Sequence, residues 1–189
     1  MAIEKKISYF HDTGSANTID VFSAAKLRAS ELGIKTVLIA STSGDTAVEA
    51  VKFFIGMRVI IVTHSAGFQK PNTQQFTDEN RRKVEAHDGQ LLTTTHAFAG
   101  VSRAMRKKFD MYMLGEVIAN TLRIFGHGTK VACEIAIMAA DAGLVRTDED
   151  VISIGGTSHG ADTALVLKPV NADDFFDLKV QEIICKPHF

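Results

Sequence analysis

The run Thr36–Ala40, TVLIA, constrains the fold more than any other feature of this chain. Five successive residues with almost no polar side chain read as a strand covered on both faces, and such strands belong to parallel sheets clothed by helices. Residues 58–63, RVIIVT, repeat the pattern, and 90–95, QLLTTT, give a third strand. Helical stretches fill the intervals. Residues 18–32 carry Val21, Phe22, Ala25, Ala29 and Leu32 at helical spacing and stop at Gly33. Residues 46–54 form a short second helix. A third runs from a cap at Asn72 or Thr73 to Gly89. Further helices are predicted near 99–108 and 113–125. After a break at 126–128 (GHG), another covers 130–142 and ends at Gly143.

The strands at 150–156 and 161–169 are separated only by TSHG. That link is too short for a crossover helix, so these two strands must be antiparallel neighbours. Residues 179–185 alternate like an edge strand, and 5–10 are placed to pair beside it. With no internal repeat or low-complexity linker, the chain reads as one domain, 1–189, of α/β class.

A formal net charge of −1 over 189 residues argues against nucleic acid as a partner, which would demand clustered Lys and Arg. The one basic cluster, 103–109 (RAMRKKF), reads as a solvated helix face. Cys133 and Cys185 lack metal or redox spacing and sit in apolar patterns, so both are expected as buried free thiols. No apolar run reaches the roughly 18 residues of a membrane span, and the N-terminal residues lack a signal-peptide core. A soluble, cytoplasmic protein is the expectation.

In an open parallel sheet, ligands lie beyond the carboxyl ends of the strands. The turns at that edge are STSGDT (41–46), HSAGF (64–68), TTTHAF (93–98) and GGTSHG (155–160), all rich in Gly, Ser, Thr and His. A Gly-hydroxyl turn that opens a helix presents unpaired N–H groups and the positive end of the helix dipole. The hydroxyls of Ser41, Thr42, Ser43 and Thr46 around Gly44 thus either cap the helix or hold an anion. His64, His96 and His159 invite a metal, but they come from separate turns with no ligand spacing. An anion, a flat ligand or plain solvent are the other readings. No P-loop, G-x-G-x-x-G or G-x-S-x-G motif is present. Glu134 lies in an otherwise apolar helix four residues after Lys130, so it is either paired with it or a ligand contact. Asp162 carries the same two readings.

Two stretches, STSGDTAVEAVKFFIGMRVIIVT and DVISIGGTSHGADTALVLKPV, resemble the C-terminal domain of pyruvate kinase. The resemblance implies a three-layer α/β/α sandwich with strand order 3-2-1-4-5, the last strand antiparallel, and a phosphate gripped by the first turn. KVACEIAIMAADAG and GGTSHGADTALVLKP look closer still to the free-standing pyruvate kinase α/β domain proteins of archaea and bacteria. That group is functionally uncharacterised and associated with bound flavin mononucleotide, so the resemblance implies this cofactor and a possible homo-oligomer.

Pyruvate kinase performs its chemistry in a separate barrel domain with no counterpart in these residues, and kinase activity is expected to be absent. Asp45 stands where the effector loop often has a basic residue, which disfavours a bisphosphate and suits a single phosphate. The expected function is binding of flavin mononucleotide or a similar monophosphate, with flavin-dependent redox chemistry as one extension. The alternative is a non-catalytic sensor of a phosphometabolite. Ser41, Thr42, Ser43, Gly44, Asp45 and Thr46 would line the phosphate site. His64, Gly67, Phe68 and His96 would approach the ring or ribityl chain, and Gly155, Gly156 and Thr157 would close the opposite side. No catalytic residue and no metal site is assigned.

Overall fold

The computed structural model describes residues 2–189. Its seven strands are β1 (Ser8–Phe10), β2 (Thr36–Ala40), β3 (Arg58–Val62), β4 (Gln90–Leu92), β5 (Val151–Gly155), β6 (Thr163–Lys168) and β7 (Lys179–Pro187). They form one sheet in the order β4-β3-β2-β5-β6-β7-β1. The five strands from β4 to β6 reproduce the 3-2-1-4-5 order, with β7 and β1 added beyond it. β6 pairs antiparallel with both β5 and β7, and the other pairings are parallel. β1 covers only Cys185–Pro187 of β7, so the first part of β7 is the open edge that its alternation suggests.

Alternate residues of each strand serve opposite faces. Val37 and Ile39 of β2 join Val59 and Ile61 beneath three helices, α1 (Thr18–Leu32), α2 (Asp45–Phe53) and α3 (Asp78–Glu85). Leu38, Ile60, Leu165 and Leu167 face the other way, against α6 (His127–Asp141). Behind α6 packs α5 (Leu114–Arg123), and α4 (Gly100–Phe109) lies outermost with no buried residue. The result is the three-layer α/β/α sandwich. Cys133 and Cys185 are buried and unpaired, and burial pushes each thiol up to about 12.

β1 and β4 are each three residues shorter than the runs 5–10 and 90–95, and two helix starts differ from the sequence reading, each for a physical reason. The third helix starts at Asp78, not near Asn72. Asn72 has φ +58, outside the helical region, and Thr77 is the cap whose Oγ1 accepts from the Asn80 N–H at 3.2 Å. The preceding segment instead folds over the turn after β2, where the Thr77 N–H donates to the Ser43 carbonyl. The sixth helix starts at His127, three residues before Lys130. Gly126, at φ +117, is the cap, while Gly128 lies inside the first turn. A Cβ there would collide with Thr163 Oγ1. The glycine pair reads as a break, but Gly128 is a close-approach position.

Small residues bring α6 down onto the sheet. A Cβ on Gly155 would collide with the Gly128 carbonyl, and the Ser153 hydroxyl donates to the Ala132 carbonyl at 2.8 Å. This close seating carries Lys130 and Glu134 to the carboxyl edge of the sheet.

Candidate functional site

The turns after β2, β3, β4 and β5 meet around a cavity of about 520 Å³, a size suited to a small cofactor. Of the residues singled out in the sequence, Ser41, Thr42, Ser43, Asp45, Thr46, His64, Phe68, His96 and Gly156 line it. Gly44, Gly67, Gly155 and Thr157 do not. Gly67 lines a neighbouring cavity, and Gly155 lies beneath α6.

The opening turn of α2 leaves its backbone donors free. Gly44 is the N-cap residue, at φ +106, and no side chain caps the helix. The Ser43 hydroxyl donates to Asp45 Oδ2 at 2.7 Å instead of capping. Ser41 Oγ accepts from the Ala47 N–H at 3.3 Å, and Val48 N–H begins the helical ladder by donating to the Gly44 carbonyl. Among the described residues, no protein acceptor takes the N–H of Thr42, Ser43, Gly44, Asp45 or Thr46. Consecutive free donors at a helix N-terminus form a niche for an anion. Gly44 itself turns away from the cavity: a Cβ would meet Asn80 Cβ at 2.5 Å and Phe76 at 2.9 Å. Glycine is required there by backbone conformation and by α3 packing, not by the approach of a ligand. Hydrogen bonds from Ser43 and Asn80 hold the Asp45 carboxyl below its ordinary range, so it stays charged and opposes a second anionic group.

The opposite wall is α6. Glu134 is buried yet ionised: its Oε1 accepts from the Phe98 N–H at 3.1 Å, its Oε2 accepts from Lys130, and His96 Nδ1 lies 3.7 Å from Oε2. Burial alone would raise its pKa, but His96 and Lys130 outweigh that and hold it at about 2. The pairing reading for Glu134 is thus the observed one, although Glu134 and Lys130 also line the cavity. Asp162 is a clamp. It is fully buried, with Oδ2 accepting from the Gly14 and Thr157 N–H groups, both at 3.0 Å, and Oδ1 from the Thr163 hydroxyl. It pins the turn after β5 to the segment before α1, and Thr157 serves that clamp.

Three rings gather at one end of the cavity. Phe68 lies 4.1 Å from His64 between ring centroids and stacks on His96 at 5.0 Å, with the planes 18° apart. His64 Nδ1 is 2.9 Å from Gln75 Oε1, an arrangement that puts the proton on Nδ1 and leaves Nε2 as an acceptor. Desolvation lowers the His64 pKa and keeps the ring neutral. His96 Nε2 is buried without a hydrogen-bond partner among the described residues.

Arg123 and His127 also line the cavity and escaped the sequence reading. The signal for His127 was present, because Gly126 as cap places it in the first turn of α6. Arg123 ends α5 and reaches the site only through the packing of α5 on α6, which no local pattern announces. Among the described residues no cluster of three or more metal-ligating side chains occurs, and no helix is long and apolar enough to cross a membrane.

A family model described as "Pyruvate kinase, alpha/beta domain" matches residues 12–167. Among solved structures, a mutant of O-ureido-L-serine synthase bound to O-ureido-L-serine is similar at TM-score 0.33 and 15% identity, over 70% of this chain and 49% of that one. O-ureido-L-serine synthase in a second structure gives 0.31 and 16%, over 69% and 40%. This chain therefore spans less than half the length of either.

Proposed function

Since the chain belongs to the pyruvate kinase alpha/beta domain family, we propose that its cavity binds a ligand with one phosphate and a flat ring system, flavin mononucleotide or a similar monophosphate. The observation that carries this is the row of unclaimed N–H groups from Thr42 to Thr46 at the start of α2. A monophosphate suits these donors together with the hydroxyls of Thr42 and Thr46. The ionised Asp45, with Glu49 and Glu134 also lining the cavity, disfavours a second phosphate. His64, Phe68 and His96 set an aromatic cluster beside a ring at one end of the cavity, and His64 Nε2 offers an acceptor for its N–H or O–H groups. The residues present fit the cofactor on these grounds.

A bound flavin would supply electron transfer; the protein would supply position and electrostatics. Here α2 would fix the phosphate end. The His64–Gln75 pair would hold a neutral acceptor in place, and the Glu134–Lys130 pair would keep charge fixed at the far wall.

Titration of the protein with flavin mononucleotide and, separately, riboflavin tests this through flavin fluorescence. The mononucleotide is expected to bind much more tightly, because riboflavin lacks the group that α2 recognises. Equal affinities, or no saturable binding of either, would sink the proposal.

A further inference from the structure

A second cavity of about 370 Å³ lies behind the ring cluster, and Phe68 and His96 form the wall it shares with the first. Its other lining includes Ser65, Thr95, Arg103 and Lys107, and no carboxylate. Arg103 is the informative residue. It is partly buried, and its guanidinium lies 3.9 Å from the centre of the Phe68 ring. Among the described residues that guanidinium makes no hydrogen bond and no ion pair; the neighbouring Arg106, by contrast, is paired with Glu116 at 2.8 Å. Lys107, one helical turn after Arg103 on α4, likewise has no carboxylate partner among the described residues. A guanidinium carries five N–H donors in a flat fork matched to a carboxylate or phosphate. Its place over the Phe68 ring already restrains the guanidinium, so less freedom is lost when an anion binds.

We propose that this second cavity is a separate binding site for a small organic anion, a carboxylate or phosphate ester attached to a flat group. Arg103 grips the anion through its fork, Lys107 adds charge, and the hydroxyls of Ser65 and Thr95 supply further hydrogen bonds. The flat group lies along the wall made by Phe68 and His96. Because Phe68 and His96 line both cavities, occupants of the two sites would share these two residues as neighbours.

The test uses the full chain, labelled with ¹⁵N, and two flat anions, sodium benzoate and phenyl phosphate. Saturable shifts are expected at the amides of Ser65, Thr95 and Gly100 and at Arg103 Nε with at least one of them. The probe that binds more tightly identifies the anion as carboxylate or phosphate. Arg103→Met keeps an apolar stem on Phe68 but removes the fork, and should weaken binding roughly ten- to a hundredfold. Arg103→Lys should fall between. Thr46→Glu, which puts a carboxylate into the first cavity, should leave both titrations unchanged, so this site is tested independently of the flavin reading. Shifts that fail to saturate, that survive Arg103→Met, or that vanish in Thr46→Glu would overturn the proposal.

Discussion

Glu134 places a carboxylate, about 4% exposed, within reach of an ammonium, an imidazole and a backbone N–H. Its link to Lys130 is legible in the sequence, because i and i+4 share a helix face. Its bond to Phe98 is not, since that contact joins residues 36 apart and exists only once α6 has docked on the sheet. Removing the carboxylate strands a buried Lys130, so Glu134→Ala should cost about 3 kcal/mol. Asp45→Ala, in an exposed turn, should cost less than about 1 kcal/mol. Urea unfolding of the two variants checks the order; the reverse order would mean that the Glu134 cluster is not desolvated. The pH dependence follows from the sign of the shift. The folded pKa of about 2 lies below the ordinary 4.5, so the folded protein binds this proton less readily than the unfolded chain. The stabilisation is complete above about 4.5 and is lost as pH falls towards 2. Glu134→Gln should flatten that acid limb of the stability profile.

Among the elements, the buried strands were the most legible, because uninterrupted apolar runs leave little choice of environment. The short link TSHG was enough to turn β6 against its neighbours. Helix starts were less legible, since Asn72, Thr73 and Thr77 are all acceptable caps and the choice is made by the segment that lies over Ser43. Gly44 shows the same limit. Its presence in the turn was readable, but its reason, contact with Asn80 and Phe76 of a segment about 30 residues later, was not. This gives a comparison between two glycines. Gly33, at φ +69, has open space where a Cβ would stand, with nothing within 4 Å, so Gly33→Ala should cost only the backbone penalty of about 1 kcal/mol. Gly44→Ala, at φ +106, adds a clash with α3 and should cost distinctly more. Equal unfolding midpoints for the two variants would show that α3 yields without cost.

At the scale of the whole molecule, one mainly parallel sheet gathers four polar turns and the close-packed α6 around a single cavity. The turns were visible in the sequence because each gathers hydroxyl or imidazole side chains just after an apolar run, three of the four together with Gly. The α6 wall was legible only in part: Glu134 read as either paired or a ligand contact, and its place at the cavity follows from the small residues Gly128, Ser153 and Gly155, which bring the helix down. If the start of α2 is an anion site and not merely a helix cap, Thr46→Glu should abolish what it holds. A carboxylate in the first turn suits the helix dipole, so the variant should melt at or slightly above the wild-type temperature. It also sets a negative charge at the mouth of the niche. This folded variant should lose flavin mononucleotide binding; an affinity equal to that of the wild type would mean that the start of α2 is only a helix cap.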